Sequence, residues 1–238
     1  MPESQFVELT EVAHALGLHP ARLVIWKEGS CAVKTSETTY RVSSAGASLA
    51  GLAPENSVDF DLAKMAALLS ADTVNEEELA AARVNPETPP ATSDALLYSY
   101  LFGFEGIKIA AHIQPVEINQ ITCSPRARQF ADRRCVPNEI VALGSAMVLV
   151  PYADPGPPLA KEVKRRILLW RDRYKTVPKV VLIHNHGMFV LGSSTGELLE
   201  TIDSTLKAAQ VFIGASMLGG PVFMTPTNVT QIEPLKEL

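Results

Sequence analysis

Residues 181–194 read VLIHNHGMFVLGSS, and this stretch gives the clearest indication of the fold. Two apolar runs, Lys179–His184 and Met188–Leu191, have the length and composition of strands buried on both faces. His186 and Gly187 join them. The sequence therefore predicts a pair of buried strands whose connection brings histidine side chains to the end of a sheet.

Two long helices are predicted beside these strands. Ser194 and Glu197 have the spacing of a capping box, and the apolar periodicity that follows ends near two glycines, Gly219 and Gly220. A second amphipathic helix is predicted over Pro158–Tyr174, and its basic residues are interpreted as a solvated face.

Further strands are predicted upstream. Short extended segments cover Ala32–Lys34, Tyr40–Ser43 and Val58–Leu62, and a continuous apolar run covers Ile107–Ile113. Strands that cluster early and then alternate with long helices favour an α/β fold with a largely antiparallel sheet. We expect one domain over residues 1–238, because this length lies within the range of single domains.

The composition limits the classes of protein to consider. Hydrophobic residues make up 47% and charged residues 20%, with a net charge of -5, which favours an ordered globular chain over a nucleic-acid-binding one. No apolar segment has the length of a membrane span or the pattern of a secretory signal peptide. The three cysteines lack metal-binding spacing, so we expect a reducing, cytoplasmic location.

Three histidines lie at or just beyond the ends of predicted strands: His112, His184 and His186. Imidazole is a common ligand of zinc, and a catalytic zinc site uses about three protein ligands and one open position. In an extended strand His112 would share a face with Gln114, and His184 would share one with His186. Hydrogen-bonded core histidines are an equal alternative on spacing alone.

Six segments, in order along the chain, resemble those of the class II aldolase/adducin family. They are EGSCAVK (28–34), VSSAG (42–46), PATSDALLY (90–98), IAAHIQP (109–115), VPYADPGPPLA (150–160) and VLIHNHGMFVLGSS (181–194). No single segment is specific, but the ordered set extends over nearly the whole chain.

The resemblance implies a three-layer α/β/α sandwich with a mostly antiparallel central sheet, often assembled as a homotetramer. It implies retro-aldol cleavage of a small hydroxy-carbonyl or sugar-phosphate compound, a reaction of carbohydrate metabolism. It also implies a divalent metal, zinc or else manganese or cobalt, that polarises the substrate carbonyl.

Residue by residue, the resemblance places His112 and His186 at metal-ligand positions and Asp94 at the position of the acid/base carboxylate. Gln114 occupies a further ligand position, and we expect His184 to compensate for it as a third ligand. The segments that bind phosphate or another anion in the family contain Ser30, Ser43, Ser44, Gly46, Thr92 and Ser93. Ser93 has an alternative role as a helix N-cap.

The chain departs from the family pattern at the predicted pocket. Gln114 stands where an imidazole is expected, Asp94 replaces a glutamate, and Tyr98 occupies a position that is often histidine. The shorter carboxylate loses about 1.5 Å of reach, and a misplacement of about that size can lower a rate ~10²-fold. An adducin-like scaffold without activity is therefore the alternative. We favour the enzyme, because a scaffold has no chemical need for His112, His186 and Asp94.

Overall fold

A seven-stranded sheet forms the middle layer of the structure, a computed structural model that describes residues 3–71 and 73–233. Its strands are β1 (Ser30–Lys34), β2 (Thr39–Ser43), β3 (Ser57–Asp61), β4 (Ile109–Ile113), β5 (Val148–Val150), β6 (Val180–Ile183) and β7 (Gly187–Gly192). Their order across the sheet is β3-β2-β1-β4-β7-β6-β5. Neighbouring strands are antiparallel except β5 and β6, which are parallel. The predicted mostly antiparallel sheet is confirmed.

Helices cover both faces of the sheet. They are α1 (Glu3–Gly17), α2 (Leu62–Ser70), α3 (Glu76–Ala81), α4 (Ala95–Leu101), α5 (Val116–Thr122), α6 (Ala127–Asp132), α7 (Pro137–Leu143), α8 (Pro157–Tyr174), α9 (Thr195–Met217) and α10 (Pro226–Ile232). Helices α1, α5 and α9 pack with one hydrophobic core, and α2, α4 and α8 pack with the other. This arrangement is the predicted three-layer α/β/α sandwich.

The central strands are apolar on both faces because each face supports a separate core. Along β4, Ile109 and Ala111 belong to the core under α9, whereas Ala110 belongs to the core under α4. His112 follows the same alternation and faces the α4 layer. It pairs with Ser30 across to β1 and with Phe189 across to β7. The register thus sets a histidine beside the start of α4.

The connection between β6 and β7 corrects one prediction. Strand β6 ends at Ile183, so the alternation of an extended strand does not reach the histidines that follow it. Asn185 has a φ of 58° and Gly187 a φ of 98°, which turns the chain sharply between them. The prediction that His184 and His186 share a face was therefore wrong.

Two predicted helix starts also differ in detail. Asp94, not Ser93, is the N-cap residue of α4. At α9 the Ser194 hydroxyl accepts the Glu197 N–H at 3.2 Å, as predicted, but the Glu197 carboxylate accepts from Ser193 instead. Only half of the predicted capping box forms, and the helix still begins at Thr195.

The described helices include none that combines the length and the apolar character needed to cross a membrane.

Candidate active site

The site forms where the start of β1, the start of α4 and the end of β4 meet. Pairing of Ser30 with His112 brings β1 and β4 together, and α4 lies over the same face of the sheet. Asp94, directly before α4, then points at both residues. The turn after β6 adds His186 from the neighbouring pair of strands. Four segments that are distant in sequence therefore supply one cluster of polar side chains.

Asp94 and His112 form a buried pair at the centre of this cluster. The Asp94 Oδ2 atom accepts hydrogen bonds from His112 Nδ1 at 2.9 Å and from the Ser30 hydroxyl at 2.7 Å. The Asp94 and His112 side chains are each 5% exposed. Although Asp94 occupies an N-cap position, its carboxylate makes no capping hydrogen bond to the helix. The carboxylate is therefore used by the cluster and not by the helix end.

Tyr98 fixes the backbone of this cluster. Its hydroxyl accepts the His112 backbone N–H at 3.1 Å and contacts the Ser30 carbonyl oxygen at 3.0 Å and the Ser30 Oγ at 2.7 Å. Since its one proton serves a single acceptor at a time, it donates to one of the two Ser30 oxygens. Tyr98 is fully buried and so holds β1, β4 and α4 in a fixed relation.

The far side of the His112 ring faces the β6–β7 turn. Its Nε2 lies 3.2 Å from the His186 carbonyl oxygen, and the two imidazole rings have centroids 4.9 Å apart. Phe189 stacks on the His112 ring at 4.6 Å with an interplanar angle of 12°. The ring is therefore held at both nitrogens and on one face.

The surroundings raise the pKa of His112 and lower the pKa values of Asp94 and His186. Burial alone opposes charge on His112, yet the Asp94 carboxylate and the hydrogen bonds at both ring nitrogens raise its pKa. Burial likewise opposes charge on Asp94, but the His112 cation and the hydrogen bonds from His112 and Ser30 lower the pKa of the carboxyl. Burial and the nearby His112 cation lower the pKa of His186. These shifts favour the charged forms of Asp94 and His112 and the neutral form of His186.

Gly187 allows the turn to approach β4 closely. A Cβ atom at this position would lie 2.5 Å from the Ile113 carbonyl oxygen and 2.8 Å from Gln114 Cγ. Its φ of 98° is also a conformation that side-chain-bearing residues rarely adopt. Glycine at 187 therefore positions His186 beside His112.

The cluster opens into a cleft of about 480 Å³. Asp94, His112 and His186 line it. The other predicted site residues along it are Ser44, Gly46, Thr92, Ser93 and Gln114. A cleft of this size has the volume of a small-molecule site.

Three predicted site residues lie outside the cleft lining. Ser30 is buried behind it and acts on Asp94, whereas the Ser43 hydroxyl accepts the Cys31 backbone N–H at 3.3 Å. His184 points toward α5, where its Nδ1 lies 2.9 Å from the Thr122 carbonyl oxygen. The structure does not bring His184 together with His112 and His186.

Two backbone amides are already engaged in the segment VSSAG (42–46), where Ser43, Ser44 and Gly46 are predicted to bind an anion. The backbone N–H of Ser44 donates to Asn56, and that of Ala45 donates to Pro90. Both amides are therefore occupied by carbonyl oxygens of the protein. Ser44 and Ser93 remain as hydroxyl residues along the cleft, whereas the Thr92 hydroxyl accepts the Asp94 backbone N–H at 3.4 Å and lies 3.5 Å from Asp94 Oδ2.

Sequence reasoning missed several residues of the cleft. Lys27, Glu28 and Glu76 line it, as does Pro155. The first two precede β1, and only the pairing of Ser30 with His112 would have placed them beside the end of β4. Pro155 lies within the segment 150–160 that carries the family resemblance, whereas no sequence signal indicates Glu76.

The family profile described as "Class II Aldolase and Adducin N-terminal domain" matches residues 8–213, most of the chain. The chain belongs to this family. No curated protein sequence matches it. The resemblance seen in the sequence is therefore confirmed at the level of the family, and the family suggests an aldolase or lyase.

Solved structures with this architecture agree with the fold. An L-fuculose 1-phosphate aldolase has a TM-score of 0.76 at 14% identity, with 100% of this chain and 98% of that one covered. The N-terminal class II aldolase domain of a conserved protein from Thermoplasma acidophilum has a TM-score of 0.69 at 21% identity, covering 90% and 95%. A sugar-phosphate aldolase from Thermotoga maritima has a TM-score of 0.66 at 12% identity, covering 94% and 98%. At these identities the likeness supports the fold alone.

Class II aldolases generally depend on a divalent metal, but the predicted ligands do not fit one as they are arranged. A histidine ligand must offer a metal an unprotonated nitrogen. His112 has one nitrogen against the Asp94 carboxylate and the other against the His186 carbonyl oxygen. Within residues 3–71 and 73–233, no three His, Cys, Asp or Glu side chains are grouped to hold an ion.

Proposed function

We propose that this chain is a lyase that cleaves a carbon–carbon bond beside a carbonyl group in a small hydroxy-carbonyl compound, of the sugar-phosphate class, by a retro-aldol reaction. The observation that supports this most is the buried hydrogen bond between Asp94 and His112 beside the His186 imidazole, at the wall of a small cleft. An inert scaffold has no use for this costly arrangement of buried charge.

In the proposed reaction His186 acts as the base. Its neutral imidazole takes the proton from the substrate hydroxyl, the carbon–carbon bond breaks, and the hydroxyl carbon becomes a carbonyl group. The electron pair of the broken bond passes to the other half of the substrate as an enediolate. The His186 imidazolium then returns the proton to a carbon of that enediolate, so atoms and charge balance.

In this scheme His112 and Asp94 stabilise the negative charge that develops on the substrate. Positive charge on His112, 4.9 Å from the His186 ring between centroids, favours the enediolate oxygen that forms in the transition state. Asp94 keeps that charge in place, and Ser30 and Tyr98 orient Asp94 and the strand that carries His112. These groups are set before the substrate arrives, as electrostatic stabilisation requires.

Residues of the cleft support the proposed substrate class. Lys27, Ser44 and Ser93 line the same cleft as His186, beside Glu28 and Glu76, so an anionic group such as a phosphate has one cation and two hydroxyl residues to contact. Two structural neighbours, an L-fuculose 1-phosphate aldolase and a sugar-phosphate aldolase, favour the same class.

The remaining parts of the proposal come from the family and the composition. We propose a cytoplasmic homotetramer of carbohydrate metabolism that binds neither nucleic acid nor membrane. A divalent zinc, manganese or cobalt ion has no part in the steps above, because the predicted ligands do not fit one.

A panel of sugar phosphates and unphosphorylated hydroxy-carbonyl compounds tests the proposal. Aldehyde or ketone products are measured by chromatography, with and without added zinc, manganese or cobalt, and with His186→Ala and the control His184→Ala. We expect cleavage of a phosphorylated member, its loss in His186→Ala and its retention in His184→Ala. Absence of cleavage for every member under all metal conditions would contradict the proposal and favour the scaffold.

A further inference from the structure

Both nitrogens of the His112 ring face atoms that can only accept. Nδ1 lies 2.9 Å from the Asp94 carboxylate oxygen Oδ2, and Nε2 lies 3.2 Å from the His186 carbonyl oxygen. A neutral imidazole has one N–H and one lone pair, so it can satisfy only one of these contacts. A doubly protonated ring satisfies both.

Asp94 is the partner that holds the negative charge. The same Oδ2 atom that faces His112 also accepts from the Ser30 hydroxyl at 2.7 Å and lies 3.5 Å from the Thr92 hydroxyl. Hydroxyl donors on this oxygen favour the ionised carboxylate, which only accepts. The proton between Asp94 and His112 is therefore assigned to the ring.

We infer that this pocket does not hold the divalent cation expected of the family, because both His112 nitrogens already face protein oxygens and His184 points away from the cleft. The inference bears on the chemistry of the proposed function, but the contacts that carry it do not depend on any activity. The charged and titratable groups that face the ring are Asp94, His186 and, farther away, Glu28.

Apart from His112 and Asp94, too few side chains of the cleft can bind a catalytic metal. His186 and Gln114 line the cleft and could each offer one ligand atom, whereas His184 points to the Thr122 carbonyl oxygen. About three protein ligands are needed for a catalytic zinc site. Gln114 offers only an amide where the family has an imidazole, and both nitrogens of His112 are already engaged. Both features weaken metal binding.

Metal binding to the whole chain tests the inference without measuring turnover. Protein dialysed against a chelator and then buffer is titrated with zinc, manganese and cobalt by calorimetry, in parallel with the His186→Ala and His184→Ala variants. We expect the same heats for all three proteins, because surface sites are common to them. Saturable binding of about one ion per chain that disappears in His186→Ala but persists in His184→Ala would overturn the inference.

The protonation of the ring gives a second, direct readout. Nitrogen-15 NMR of labelled protein at neutral pH reports whether each histidine nitrogen carries a proton. Variants of the four other histidines to glutamine assign the remaining signals to His112, so the assignment does not require a His112 variant to fold. We expect two protonated nitrogens that do not respond to zinc. One unprotonated nitrogen that shifts on addition of zinc would refute the inference. Either result stands whether or not the substrate panel finds cleavage.

Discussion

Replacement of Gly187 by alanine tests how the turn after β6 builds the site. The added Cβ would meet the Ile113 carbonyl oxygen at 2.5 Å and Gln114 Cγ at 2.8 Å, with a backbone φ of 98°. Strained backbone of this kind costs about 1–3 kcal/mol, and overpacking costs about 1–3 kcal/mol more. We expect the variant to lose roughly 2–6 kcal/mol of unfolding free energy, the sum of these two ranges.

The same steric conflict should also lower the rate of the proposed reaction. Relief of the contact moves the turn away from β4, and a displacement of about 1 Å at His186 should lower the rate ~10²-fold. Urea unfolding followed by circular dichroism gives the free energy, and kcat/KM for the substrate found in the panel gives the rate.

A matched control separates this effect from glycine replacement in general. Gly214 lies within α9, and a Cβ there meets no heavy atom within 4 Å. Gly214→Ala should therefore gain about 0.5–1 kcal/mol, because alanine restricts the unfolded chain and favours the helix. Equal stability and activity of Gly187→Ala and the wild type would refute the role given to this turn.

Three further predictions concern the buried cluster. Asp94→Asn should lower kcat/KM by ~10²–10⁴-fold, whereas Glu37→Gln, in an exposed ion pair, should leave it unchanged; equal loss in both would contradict the assignment. Tyr98→Phe leaves the buried His112 N–H without its acceptor and should cost about 1–3 kcal/mol in urea unfolding, against less than about 0.5 for the exposed control Tyr152→Phe. The stability difference between wild type and Asp94→Asn should be largest at about pH 4–6.5. It should shrink as the pH rises through the raised pKa of His112 or falls through the lowered pKa of Asp94, and a difference constant from pH 4 to 9 would contradict the ion pair.

Much of the fold could be predicted from local pattern. Continuous apolar runs around Ile109–Ile113 and Gly187–Gly192 indicated buried strands, and the apolar periodicity over Thr195–Met217 indicated a long helix. The structure contains all three. Short elements such as α5, α6 and β5 gave no comparable signal, because a few residues are too short to establish a period. Their positions depend on packing against the sheet.

The site was harder to predict because it depends on backbone geometry between distant segments. His112 and His186 lie together as the family resemblance implied, since β4 and β7 are neighbours in the sheet. His184 does not join them, because the left-handed conformation of Asn185 interrupts the alternation on which that prediction depended. The hydrogen bond from His112 Nδ1 to Asp94 could not be foreseen either, because the direction of a carboxylate at a helix start is not encoded in its spacing.

The central claim is that the two nitrogens of His112 contact Asp94 and the His186 carbonyl oxygen and do not bind a metal. Anomalous diffraction from crystals soaked in zinc measures this directly, because it locates an ion and its ligands together. We predict no anomalous peak within about 2.0–2.1 Å of His112 Nε2, and an intact hydrogen bond from His112 Nδ1 to Asp94. A peak coordinated by both His112 and His186 would contradict the account.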